Sequence, residues 1–150
     1  MCLGDSVLEN PAFVYVYTYL LLHWYEQIDE PLQFEGLQIS SRIEYGYDGT
    51  GRLTAVMFGI DQQSLDDPHH SIIELLTKWY GEYEMQDTVI LTLGESRIYQ
   101  WRTEDVYAFA VFGLSYGYQD TTMIIIATHD YGRDYLAPYF GLSSFSDSFL

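Results

Sequence analysis

The sequence predicts an α+β fold in which an antiparallel sheet of about six strands carries two helices packed on one face, in the order α-β-β-α-β-β-β-β. Two observations indicate this class. Apolar residues recur at helical spacing in two segments, and the other apolar segments are short runs separated by tight turns. The 150 residues contain no linker-like stretch. We therefore expect a single domain over 1–150, with residues 1–9 and 141–150 flexible.

The first helix is predicted over residues 10–29. Asn10 can cap it, and Pro11 suits the first helical position. A strand is the alternative, because valine and aromatic residues favour strands, but the length of the run and its entry signal favour a helix. Since this helix is apolar on nearly every side, it needs a cover. The sequence therefore predicts either a homodimer through residues 13–24 or a cover formed by the C-terminal tail.

A β-hairpin and a second helix follow. Residues 37–60 alternate between the two faces of a strand pair around the turn at 48–51, which is rich in residues that tolerate positive φ. Ser71 and Glu74 match a capping box, and Gly81 suits a left-handed helix end. One face of this helix collects the apolar residues Ile72, Leu75, Leu76 and Trp79.

Four more strands are predicted over residues 88–93, 97–103, 106–113 and 123–129. The last two are apolar on both faces, so we expect them to be central and covered. The tail, residues 130–150, is rich in Tyr, Phe and Ser without clear periodicity. The sequence leaves open whether it drapes over the domain or is partly disordered.

Charge is the most unusual property of the composition. There are 22 acidic against 6 basic residues, a net charge of −16, and 15 tyrosines. Such a surface repels phosphate, which argues against direct nucleic-acid binding, and it attracts basic proteins. The simpler interpretation is that the charge maintains solubility.

The location of the protein is inferred from what its N-terminus lacks. No apolar run reaches the length of a membrane span, and the N-terminal residues lack the basic region of a secretory signal. These features predict a cytoplasmic protein. An envelope-attached lipoprotein anchored through Cys2 is a further alternative.

No catalytic motif, metal site or cofactor site is predicted. Two clusters that contain histidine are the candidates for such a site. The cluster at 66–70 is better explained as a solvated loop, because its adjacent histidines lack metal-ligand spacing. His129 could be a base oriented by a carboxylate, although an exposed strand end is the simpler interpretation. His23 is expected to be a core or edge histidine. The residues of these clusters are Asp66, Asp67, His69, His70, His129, Asp130 and Asp134.

The leading functional hypothesis is a small, non-catalytic binding or inhibitor protein. It would resemble an immunity protein, an antitoxin or a nucleic-acid mimic in physical type, and it would occlude a basic protein such as a nuclease. The alternative is a ligand-binding or enzymatic domain with an aromatic-lined pocket, with His129 or His23 at its mouth. The predicted partner-binding residues are Tyr45, Tyr47, Glu82, Glu84, Glu104, Asp105, Tyr116, Tyr118 and Asp120.

Overall fold

In the computed structural model of the protein, an antiparallel sheet of eight strands forms the centre of the fold. The described residues are 3–4, 13–27, 33–34, 37–38, 43–61, 68–90, 94–113 and 121–142. Within them, the sheet has the order β1-β2-β5-β6-β10-β9-β8-β7, and β3 with β4 forms a separate two-stranded ribbon. The strands are β1 (Phe13–Tyr19), β2 (Leu22–Gln27), β3 (Gln33–Phe34), β4 (Leu37–Gln38), β5 (Glu44–Tyr47), β6 (Leu53–Asp61), β7 (Tyr83–Ile90), β8 (Gly94–Arg102), β9 (Val106–Gly113) and β10 (Thr121–Thr128).

The α+β class and the antiparallel sheet are confirmed, but the sheet has eight strands instead of about six. The difference lies in residues 10–29, where the predicted first helix is wrong. Residues 13–27 form the hairpin β1–β2, and β2 also pairs with β5. Trp24 faces the core while exposed Tyr15 packs edge-on against Tyr25 on the other face. The run therefore appears apolar on all sides because both faces of the hairpin carry aromatic rings. Without a helix over 13–24, the reason for expecting a dimer there is removed.

The second hairpin and the second helix are confirmed, with shifted boundaries. β5 and β6 flank the turn at 48–51, in which the Asp48 carboxylate accepts hydrogen bonds from the backbone N–H groups of Thr50 and Arg52. Helix α1 (Pro68–Tyr80) begins three residues before Ser71, so Ser71 lies inside the helix and not at its cap. Gly81 has φ +87° and its N–H donates to Thr77, which ends the helix as predicted.

One residue that the sequence assigns to the buried apolar face of α1 is in fact exposed. Ile72 and Leu76 are fully buried, but Trp79 is 38% exposed and packs edge-on against Tyr80. The buried indole in this layer is that of Trp101 on β8, whose N–H donates to the Thr77 hydroxyl. The buried face of α1 is therefore narrower than the spacing in the sequence indicates, and Trp79 lines an open pocket together with Tyr45 and Val56 of the sheet.

A helix that the sequence did not predict follows β10. It consists of α2 (His129–Tyr131), a π-helical turn (Gly132–Leu136) and α3 (Ala137–Tyr139), together called the C-terminal helix. Gly141 and Leu142, expected to be flexible, close it with hydrogen bonds to Pro138 and Ala137. Residues 1–2, 5–9 and 143–150 of the segments expected to be flexible lie outside the described residues. None of the helices in the described ranges is long and apolar enough to cross a membrane.

The two helices lie on opposite faces of the sheet, and not on one face as predicted. Ile72 and Leu76 of α1 pack with Ala108 and Phe112 of β9. The C-terminal helix packs on the alternate residues, among them Phe109. Since successive strand residues point to opposite faces, the two clusters belong to different sides of the sheet. This explains why β9 and β10 are apolar on both faces.

The sheet curls around the C-terminal helix. A flat sheet of eight strands would hold its edge strands about 34 Å apart. Nevertheless, Tyr139 contacts Tyr19 at the end of edge strand β1, and the neighbouring Phe140 carbonyl accepts a hydrogen bond from Thr88 on edge strand β7. Both edge strands can contact neighbouring residues of the one C-terminal helix only if the sheet is strongly curved. The strand register shifts at 15–17 and at 46–47, and shifts of the β-bulge type bend a strand and increase its twist.

Candidate functional site

A cavity of about 260 Å³ lies between the concave face of the sheet and the C-terminal helix. Tyr17 and Trp24, stacked with ring centroids 6.4 Å apart, form one wall. Met57 and Met123 belong to the neighbouring central strands β6 and β10. The helix contributes further apolar side chains, including that of Phe140. The curvature of the sheet creates this space, because the C-terminal helix lies across the concave face without filling it.

The polar atoms around the cavity are mostly engaged elsewhere. The Trp24 indole N–H donates to the Tyr19 carbonyl oxygen at 3.1 Å, and the Tyr17 hydroxyl donates to the Glu44 carboxylate at 2.7 Å. Burial, together with Glu44, raises the pKa of Tyr17 well above its usual value. At the rim, the hydroxyls of Tyr19 and Tyr139 share a longer hydrogen bond of 3.3 Å. The interior is therefore apolar, and two phenol hydroxyls mark its edge.

The β1–β2 turn beside the cavity has an unusual backbone. Leu20 and Leu21 have φ values of +52° and +66°, a left-handed conformation that costs roughly 1–2 kcal/mol per non-glycine residue. The Tyr131 hydroxyl donates to the Leu20 carbonyl at 2.7 Å, so the C-terminal helix holds the turn in place. Burial raises the pKa of Tyr131 far above its usual value. The Leu20 side chain lines the cavity, while that of Leu21 is 68% exposed.

Four of the predicted partner-binding residues meet at one end of the sheet. Glu82 and Glu84 stand at the start of β7, and Glu104 with Asp105 forms the β8–β9 turn next to it. All four are exposed, and within the described part of the chain none of them forms an ion pair. Asp130 adjoins them at the start of the C-terminal helix. These five residues are called the acidic end.

The β8–β9 turn is rigid. Thr103 accepts hydrogen bonds through its hydroxyl from the N–H groups of Asp105 and Val106. His129 holds the same turn from the outside, because its Nδ1–H donates to the Thr103 carbonyl at 3.0 Å and its own N–H donates to the Asp105 carbonyl. The carboxylates of Glu104 and Asp105 are thus presented from a fixed backbone.

The two predicted aromatic residues that the structure describes, Tyr45 and Tyr47, lie on β5, three strands away from β9. Tyr45 lies half-buried on the α1 face of the sheet, and Tyr47 is 1% exposed, so its ring serves the core and not a partner. Tyr116, Tyr118 and Asp120 lie outside the described residues. Tyr83, which the predicted set omitted, is exposed between Glu82 and Glu84, and its ring packs edge-on against Tyr99 at 5.1 Å. Its position two residues after the helix-ending Gly81 was the signal available in the sequence.

Of the histidines whose side chains the structure describes, neither His129 nor His23 is paired with a carboxylate. Asp134 is paired with Arg133 at 2.8 Å, which lowers the pKa of that carboxyl, and the Nδ1–H of His129 donates to the Thr103 carbonyl instead of a carboxylate. His23 is exposed on β2 beside the Thr18 hydroxyl. Asp66 and Asp67 lie outside the described residues, and His69 and His70 are in the first turn of α1. Across the described ranges, no group of three or more potential ligands could hold a metal ion.

Comparisons with protein families, curated proteins and solved structures find no match to this chain. The function of this chain therefore depends on the residues of its sites, and not on a likeness to a known fold. The described residues form two such sites, the acidic end and the aromatic cavity. Neither His129 nor His23, the histidines expected at the mouth of such a pocket, lines the cavity, and the C-terminal helix covers it.

Proposed function

We propose that this chain is a non-catalytic binding protein that holds a basic partner protein at its acidic end. The observation that carries the proposal is the group formed by Tyr83, Glu82, Glu84, Glu104 and Asp105. The exposed Tyr83 ring lies on the α1 face of β7, beside Trp101, and the exposed Glu84 carboxylate lies on the opposite face of the same strand. The hydrogen-bonded β8–β9 turn next to β7 presents two more carboxylates. An arginine side chain can pair with a carboxylate and at the same time stack on such a ring.

The rigidity of the group favours binding over simple solvation. A fixed backbone loses little conformational freedom when a partner docks, so more of the interaction contributes to affinity. Because the four carboxylates have no cation of their own among the described residues, docking of a basic surface does not first have to break an ion pair.

The chemistry of the surface defines the class of partner. Proteins that bind nucleic acids carry clustered Lys and Arg residues. A nuclease or another nucleic-acid-processing enzyme therefore suits this end, and its phosphate-binding surface would be occluded in the complex. The net charge of −16 accelerates encounter with such a partner at low salt.

The test compares two charge variants with a matched control. Glu82→Gln with Glu84→Gln, and Glu104→Gln with Asp105→Asn, each remove two negative charges from the acidic end. Glu74→Gln with Glu95→Gln removes two from exposed positions elsewhere. Each variant, and the wild type, is used to capture partners from lysate of the native cells at low salt, and the affinity for the recovered protein is then measured.

We expect a basic protein that is released as salt rises, because the Debye length falls from about 10 Å at 0.1 M to about 3 Å at 1 M. Exposed ion pairs contribute about 0.2–1 kcal/mol each, so either acidic-end double variant should weaken binding by roughly 2- to 30-fold. The control should bind like the wild type. Recovery of no basic protein, or equal weakening by the control, would assign the charge to solubility alone.

A further inference from the structure

The cavity under the C-terminal helix has the properties of a ligand site that is separate from the acidic end. Its walls are held apart by fixed contacts at both ends of the helix. Near the start of the helix, Gly132 lies directly against Tyr107 of β9. At the other end, Gln86 and Thr88 of β7 donate hydrogen bonds to the carbonyls of Gly141 and Phe140. With both ends anchored, the helix cannot settle into the trough and close the space.

The strained turn supplies a second, independent observation. Two consecutive leucines with positive φ replace the Asn-Gly type of sequence that such a hairpin turn favours. Strain of this kind persists where the surrounding structure imposes it, and it clusters at binding sites. Here it places the Leu20 side chain in the wall of the cavity, next to the Tyr19–Tyr139 rim.

The lining residues define the chemistry of the ligand. Among the described residues, none that lines the cavity is charged, so a charged group would be buried there without a counterion. Trp24 and Tyr17 offer ring faces, and the thioethers of Met57 and Met123 form favourable contacts with aromatic rings. Polar contact is available at the rim, from the hydroxyls of Tyr19 and Tyr139.

The volume defines the size of the ligand. An apolar cavity of about 150 Å³ accommodates benzene, so by proportion the observed 260 Å³ suits a molecule of roughly ten non-hydrogen atoms. We propose that the cavity binds a small, neutral, two-ring aromatic molecule, which enters between Tyr19 and Tyr139 and places its one polar substituent against their hydroxyls. This proposal does not depend on the acidic end or on any protein partner.

Binding is tested with defined probes by calorimetry on the full chain. Naphthol has the proposed size and polarity, naphthalene lacks the hydroxyl, naphthoate carries a charge, and decanol matches the size without a ring. We expect naphthol to bind at a single site with a Kd of about 10–100 μM. Naphthalene should bind more weakly, and naphthoate and decanol at least about tenfold more weakly than naphthol. No saturable binding of naphthol, or equal binding of naphthoate, would overturn the proposal.

The location is tested by NMR of the methionine methyl groups. Met57 and Met123 line the cavity, whereas Met85 is exposed on β7 and serves as an internal control. Naphthol should shift the first two signals and leave that of Met85 unchanged. Shifts confined to Met85, or equal for all three, would place the binding elsewhere. This measurement uses the wild-type chain, so it does not depend on whether any variant folds.

Two sets of variants test the interior of the cavity and its rim separately. Met123→Trp fills part of the space and should weaken naphthol binding at least about tenfold, whereas Met85→Trp should have no effect. Tyr19→Phe with Tyr139→Phe removes both rim hydroxyls, so naphthol and naphthalene should then bind equally. Unchanged naphthol binding by a folded Met123→Trp protein, or a preserved preference for naphthol in the double variant, would contradict the proposed site.

Discussion

The substitution Gly132→Ala tests whether the C-terminal helix packs as closely against β9 as the structure shows. The residue has ordinary helical dihedral angles, φ −60° and ψ −46°, so on helix propensity alone Gly132→Ala should stabilise the protein by about 1 kcal/mol. The structure predicts the opposite sign. An added Cβ would lie 2.7 Å from Cγ of Tyr107 and closer still to its Cβ.

Tyr107 has little freedom to yield. It is 1% exposed, its ring stacks on Phe109 at 4.8 Å, and its hydroxyl donates to Gln100 at 2.7 Å. Overpacking of this kind costs about 1–3 kcal/mol, and here the upper value applies because the clash is with carbons close to the backbone. After subtraction of the propensity gain, we expect a net loss of about 2 kcal/mol.

Urea unfolding followed by tryptophan fluorescence measures this loss, which corresponds to a fall in Tm of roughly 4–8 °C. Gly49→Ala is the matched control, because a Cβ there would meet nothing within 4 Å. Its stability should lie within about 0.5 kcal/mol of wild type. A Gly132→Ala protein as stable as wild type, or more stable, would show that the helix does not approach β9 this closely.

Three further predictions concern hydrogen bonds and titration. Tyr107→Phe removes the donor to the buried Gln100 side chain and should cost about 1–3 kcal/mol in urea unfolding; a cost near zero would mean that the amide finds another donor. Asp48→Ala should cost about 1–2 kcal/mol at neutral pH. The Thr50 hydroxyl and the turn N–H groups lower the pKa of Asp48. The contribution of Asp48 to the free energy of unfolding is therefore present above the ordinary carboxyl pKa of about 4 and is lost as pH falls through the lowered value. The stabilities of the wild type and of Asp48→Ala should become equal in acid. Burial raises the pKa of Tyr107 to about 12, and that of Tyr131 is raised by burial as well. The contribution of these two neutral phenols to the free energy of unfolding is therefore complete below the ordinary tyrosine pKa of about 10 and is lost as pH rises above it. The urea midpoint of the wild type should fall between about pH 10 and 12, and the midpoint of Tyr107→Phe should fall less.

Local sequence determined the elements whose signals lie within a few residues. The turn at 48–51 contains Asp48, which bonds its own backbone, and Gly51 with φ +81°. Helix α1 ends at Gly81 because glycine adopts the left-handed conformation without strain. Four of the five exposed carboxylates of the acidic end, all except Asp130, were also predicted as partner-binding residues, since charged residues in turns seldom lie in the core.

Tertiary structure decided the features that form the cavity. The β1–β2 hairpin turns at Leu20 and Leu21, which have no intrinsic preference for positive φ, and the hydrogen bond from Tyr131 more than 100 residues away holds that turn. The C-terminal helix contains Gly132 and Pro138, which are poor helix formers, and it gains its stability by packing into the curved sheet. The cavity exists only because distant strands curl around that helix. Curvature of this kind arises from contacts between both edge strands and a single helix, so no local pattern in the sequence could have revealed it.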